Sequence, residues 1–147
     1  VLREVLLDPD YVHRAHAMAD LADTWLRLGE LAEAREMAQR ALDAGATGPA
    51  CLVLGTVAYE YFDLEEATAW LEQAITASEE GDSTWFSAQS LLADVFAQRG
   101  SAFAERLLQH ARAALAHVEH GSEWEAPLEA HVERARAWLF GQDRWLN

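Results

Sequence analysis

Leu21–Leu42, LADTWLRLGELAEAREMAQRAL, recurs in outline at Leu54–Ile75, LGTVAYEYFDLEEATAWLEQAI, and the register between the two decides the fold. Leu21 falls on Leu54, Ala22 on Gly55, Ala34 on Ala67 and Ala41-Leu42 on Ala74-Ile75, a constant period of 33 residues. Each copy reads as helix, tight turn, helix. Small side chains at Ala22, Gly55, Ala34 and Ala67 let antiparallel helices approach, and Leu21, Trp25, Leu54 and Tyr59 fill the space on either side. One such hairpin cannot bury its apolar stripe alone, whereas stacked copies can.

The run GELAEA at Gly29–Ala34, its degenerate partner FDLEEA at Phe62–Ala67, and the Ala-Leu or Ala-Ile pair seven residues later resemble the tetratricopeptide repeat. That family's unit is two helices of about 34 residues in all. The resemblance is strict over Ala15–Ser78 and reaches loosely to His120. It departs from the family at the first-helix Trp, replaced here by Met18 and Cys51, and at the turn Gly, replaced in the second copy by Phe62. A positive φ is therefore expected at a residue lacking glycine's freedom.

A looser third unit follows. Leu92-Ala93, Phe96 and Gly100 trail Leu54-Gly55, Ala58 and Phe62 by 38 residues, and Ala114-Leu115 trails Ala74-Ile75 by 40. The longer unit looks like the tetratricopeptide-like repeats in the carboxy-terminal arms of large bacterial signalling ATPases and transcriptional activators. The resemblance implies an all-α, right-handed stack of antiparallel helical hairpins with about seven helices. A single domain over 1–147 is expected, with units near 9–45, 48–80 and 84–120 and a terminal helix at 123–140.

Composition agrees with a helical reading. Hydrophobic residues make up 51% of the 147, prolines number 3, and alanine and leucine outweigh β-branched residues. The formal charge is −14, from 25 acidic and 11 basic residues, and every basic residue is arginine. A surface of that sign repels phosphate backbones and anionic lipid, so neither nucleic acid nor membrane is an expected partner; a basic or amphipathic protein segment is. Cys51 is the sole cysteine and falls on an apolar face, which predicts an inert buried thiol. No apolar run approaches the roughly 18 residues of a membrane span, and no charged leader precedes one, so a cytoplasmic location is expected.

Local signals place the helix ends. Val1–Leu7 reads either as the tail of a preceding helix or as a frayed native amino terminus, and the absence of an initial Met suggests sequence upstream; Asp8-Pro9 then opens the first helix, to Leu28. Glu30–Ala44 is the second, stopped by Gly45 and Gly48. The third starts at Thr47 or Gly48 with Pro49 and ends at Tyr61. Asp63 with Glu66 forms a capping-box signal for the fourth, to about Glu79. Asp82 or Ser83 caps a fifth from about Thr84 to Arg99, and the sixth spans Ser101 or Ala102 to Glu119. Ser122 with Glu125 predicts a second capping box, and Gly141 is expected to end the seventh helix after Phe140.

Catalytic and metal chemistry find little support. His13 and His16, His117 and His120, and His110 and His117 share helical faces, but no HExxH or paired-cysteine pattern supplies three or four converging ligands. The carboxylates sit where the helical pattern predicts solvent, and no glycine-rich phosphate loop is present. No enzyme activity, cofactor or metal is expected. The expected function is a non-catalytic protein or peptide interaction module within a larger bacterial regulatory protein. A structural spacer, self-association through the terminal helices, and a small-ligand-sensing domain are the alternatives.

Stacked hairpins expose a concave face lined by the first helix of each unit, just outside the packing stripe. That selects His16, Asp23 and Arg27, then Thr56, Tyr59 and Glu60, then Asp94 and Gln98 as candidate groove residues. Their mixed-to-acidic character disfavours capture of a terminal carboxylate. Trp138 and Trp145 mark a second candidate, an aromatic patch at the carboxy-terminal end.

Overall fold

The computed structural model describes the backbone of residues 9–146 and the side chains of residue 10 and residues 13–141. Among the described residues there are seven α-helices, one single-turn 3-10 helix and no strand. The proposed tail of a preceding helix at Val1–Leu7 lies outside the described residues. The chain divides into two compact units, Val1–Glu79 and Glu80–Asn147.

The first unit holds α1 (Pro9–Arg27), α2 (Leu31–Asp43), α3 (Thr47–Glu60) and α4 (Leu64–Thr76). α1 pairs with α2 and α3 with α4, while α3 also packs on both α1 and α2. The small-residue columns are where the repeat places them: Ala22, Ala34 and Ala67 are fully buried, as are Ala38, Ala41 and Ala74. Gly55 is the closest approach. A Cβ added there would lie 2.8 Å from both Cγ and Cδ2 of the fully buried Leu71. Trp25 and Trp70, both partly buried, close the cluster formed by Ala22, Ala34, Val53 and Val57.

The period of 33 is visible in the backbone hydrogen bonds. At the first turn Gly29 N–H donates to the Leu26 carbonyl (3.0 Å) and Glu30 N–H to the Trp25 carbonyl (2.9 Å). At the second, Phe62 N–H donates to Tyr59 and Asp63 N–H to Ala58, both at 2.9 Å. Each is a Schellman closure, in which a left-handed residue satisfies carbonyls orphaned at the helix end. Phe62 takes up that conformation with φ 61°, as its place in the repeat requires.

Leu21 corrects the expected core. It is 42% exposed, although its counterpart Leu54 is buried. Among the described elements α3 packs against three helices and α1 against two, so the same repeat position is covered in one copy and open in the other.

The second unit holds α5 (Ser83–Arg99), the 3-10 turn Ser101–Phe103, α6 (Ala104–Leu115) and α7 (Glu125–Leu146). α6 packs on α5 and on α7, and α5 meets α7 directly. Leu92, Ala93, Val95 and Phe96 of α5, with Leu107, Ala111 and Ala114 of α6, form its buried centre, closed by Leu128, Val132 and Ala135 of α7. The Phe96 ring stacks on those of Phe103 and His110, with centroids 5.5 and 5.6 Å away.

Three expected boundaries are corrected. α6 stops at Leu115 rather than Glu119, because His117 and Val118 donate to the carbonyls of Ala114 and Leu115 in tight turns. The capping box at Ser122 does not form: its hydroxyl accepts from Trp124 N–H (3.2 Å), and the Glu125 carboxylate pairs with His120 Nδ1 (3.1 Å). Gly141 does not end α7, which continues to Leu146. A helical glycine costs about 1 kcal/mol relative to alanine and does not forbid the helix.

Candidate binding site

Two hollows open on the second unit, and the exposed ring of Trp124 lines both. Trp124 sits on the turn that enters α7, held by its N–H bond to Ser122 Oγ, and its ring meets Phe86 of α5 edge-on at 5.9 Å. The first hollow, about 260 Å³, lies between α5 and α7. Ser90 and Asp94, one turn apart, line it from α5; Leu128 and His131 line it from α7, with Glu123 and Pro127 beside Trp124. The second, about 390 Å³, runs from the Gly81–Ser83 turn past Phe86 and His117 to Glu119 and Ser122.

Inside the first hollow Asp94 Oδ1 accepts a hydrogen bond from His131 Nε2. His131 is largely buried and Asp94 about half exposed. Ser90 contributes an unusual feature. Thr24, Thr56, Thr68, Thr76 and Ser78 all donate to the carbonyl four residues earlier in their helices. Ser90 Oγ does not; it is buried and has no hydrogen-bond partner among the described residues. A buried hydroxyl left in that state costs roughly 1–3 kcal/mol, which a ligand could recover.

The electrostatics of the two hollows are of one sign. Asp82, Asp94, Glu119 and Glu123 line them, and no arginine does among the described lining residues. Part of the first turn of α7 is already committed. Pro127 has no N–H, Glu125 N–H bonds the Ser122 carbonyl and Leu128 N–H bonds the Trp124 carbonyl.

A second buried polar group of this unit faces the core. His110 Nδ1 bonds Gln89 Oε1 at 2.6 Å, and the ring stacks on Phe96. Burial, reinforced by the neighbouring Arg106 guanidinium, pushes its pKa from 6.5 down to about 4, so the ring is neutral near pH 7. Burial likewise raises the pKa of the fully buried Cys51 thiol in the first unit. Among the described residues, no three His, Cys, Asp or Glu side chains converge as a metal site would require. No helix there is long and apolar enough to cross a membrane.

Six of the eight candidate groove residues belong to the first unit. Asp23 pairs with Arg27 at 2.9 Å along α1, and Arg27, Thr56 and Glu60 border a hollow of about 380 Å³ floored by Leu26 and Leu31. Thr56 spends its hydroxyl proton on the Leu52 carbonyl at 2.8 Å. His16 is exposed and Tyr59 partly buried. In the second unit Gln98 is exposed, and Asp94 alone of the eight belongs to the Trp124 site.

Of the end patch, Trp138 is half-buried with the Arg134 guanidinium 6.0 Å from its ring centre. The side chain of Trp145 lies outside the described residues.

Ser90, Glu123, Trp124 and His131 are site residues that the repeat pattern does not select. Ser90 and Asp94 share a helical face, which spacing alone reveals. The pairing of Asp94 with His131, 37 residues apart, needs the fold. The sequence matches no protein-family model, and a comparison with curated proteins returns no match.

Proposed function

We propose that the chain is a non-catalytic interaction module built of tetratricopeptide-like repeats, which binds a short basic or amphipathic segment of another protein. The observation that carries this reading is the pair of acidic hollows flanking exposed Trp124. An exposed tryptophan between two concavities suits an extended segment, because it offers a large rigid contact at small entropic cost while the hollows on either side take side chains. The first hollow, at about 260 Å³, falls below the roughly 300–1,000 Å³ of small-molecule sites. That favours one side chain of a longer ligand over a free metabolite. The resemblance to repeat arms of bacterial signalling proteins supports placing the module in a larger regulatory protein.

The test is selection of random peptides displayed on phage against the folded chain, followed by titration of the enriched peptides onto wild type and Trp124→Ala. Enriched peptides should be basic and should lose about tenfold or more in affinity on Trp124→Ala, as expected of an aromatic anchor. Absence of enrichment, or affinity indifferent to Trp124, would remove the assignment.

A further inference from the structure

We propose that the hollow between α5 and α7 receives an arginine side chain of the bound segment; this presupposes the interaction module above and names what its first hollow recognises. The formal charges around it are carboxylates, and the Ser90 hydroxyl can also accept. Asp94 and Glu123 carry carboxylates, His131 spends Nε2–H on Asp94, and Ser90 Oγ has no hydrogen-bond partner among the described residues. A ligand complementary to that set carries positive charge and several donors. The guanidinium has five N–H donors and no acceptor, in a planar fork.

The walls point the same way. Trp124 offers a large π face, on which a flat, weakly hydrated guanidinium stacks better than a compact ammonium, and Pro127 and Leu128 are apolar surface for the methylene stem. An anionic occupant is opposed by both carboxylates. With Oδ1 of Asp94 bonded to His131, Oδ2 remains to accept from the guanidinium, so the existing pair orients the carboxylate for the ligand. His131 is in this sense a positioning residue.

The experiment titrates N-acetyl-L-arginine amide onto the full chain labelled with 15N, with the lysine and citrulline analogues as comparisons. The arginine probe should give saturable shifts centred on Ser90, Trp124 and His131. Citrulline, which keeps the shape and loses the charge, and the Asp94→Asn variant should each weaken binding about tenfold, the scale of a lost charge-assisted hydrogen bond. Equal binding of citrulline, equal binding of lysine, or shifts scattered over the acidic surface would each overturn the arginine assignment. The citrulline comparison uses the wild-type chain, so it decides even if Asp94→Asn fails to fold. Should the arginine probe fail while Trp124-dependent peptides still bind, the pocket assignment falls and the interaction module stands. Failure of both removes both.

Discussion

Phe62 holds the same left-handed backbone position that Gly29 holds one repeat earlier, with φ 61° against 80° and an identical pair of closing hydrogen bonds. A bulky L-residue there carries strain of roughly 1–2 kcal/mol, and the ring recovers little by burial, being 79% exposed. Phe62→Gly should therefore stabilise the chain by about 0.5–1 kcal/mol, the relief of strain less the added freedom of glycine when unfolded. Urea unfolding measures this directly. A lower midpoint would mean that the exposed ring makes a contact worth more than its strain.

The opposite behaviour is expected at Gly55. Leu71 occupies the space a Cβ would need, and its fully buried position leaves it no room to retreat. Gly55→Leu should force α3 and α4 apart and cost about 1–3 kcal/mol through overpacking. Unchanged unfolding by heat or urea would show that the hairpin tolerates a wider spacing.

The cap of α4 separates two neighbouring carboxylates. Asp63 Oδ1 accepts from Glu66 N–H at 3.1 Å, but the reciprocal bond of a capping box is absent: Asp63 N–H is taken by the Ala58 carbonyl, and Glu66 accepts from Trp70 Nε1–H at 3.3 Å. Asp63→Ala should cost about 1 kcal/mol and Glu66→Ala less than about half of that. Equal losses in urea titrations would restore the full box.

The fold was legible where a single residue type had a single reason to be present. The alanine columns and Gly55 marked close helix contacts, and Phe62 marked a positive φ because the repeat required one at that place. Leu21 misled because an apolar residue is buried only if a neighbouring helix arrives to cover it, and spacing within one repeat does not say whether it does. The capping signal at Ser122 misled for a related reason: the hydroxyl found Trp124 N–H one residue closer, and Glu125 found His120. The site was mostly not legible. It is assembled from α5 and from the turn into α7, which the period of 33 does not reach, and Trp124 gains its place only from the geometry around it.

His110 predicts a pH dependence of stability. Its folded pKa of about 4 lies below the ordinary 6.5, so between those values the unfolded chain binds more protons than the folded one. Stability from this group is complete above about pH 6.5 and is lost as pH falls toward about 4. Relief of repulsion among the surface carboxylates acts over part of the same range, so the difference between wild type and His110→Gln is the informative quantity. Wild type should lose more stability than the variant across that window in urea titrations. Parallel pH profiles would show that His110 is not held neutral by its burial.

The two acidic candidates Asp23 and Asp94 should behave differently toward a basic segment. Asp23 is half-exposed and already paired with Arg27 at 2.9 Å, so Asp23→Arg changes long-range attraction more than any local contact. Asp94 faces a hollow beside Trp124, where it accepts from His131 Nε2. Asp94→Arg places a fixed cation where the ligand's cation is meant to sit. Affinity for the selected peptides should fall about tenfold or more for Asp94→Arg and about twofold at most for Asp23→Arg, the scale of exposed charge pairs. Wild-type binding should weaken as salt rises, and Asp94→Arg should lose part of that dependence. Fluorescence titration at two salt concentrations, with both variants shown to be folded, decides it. Losses of equal size in the two variants would mean that the segment runs over α1 as well, and would return Asp23 and its neighbours to the binding surface.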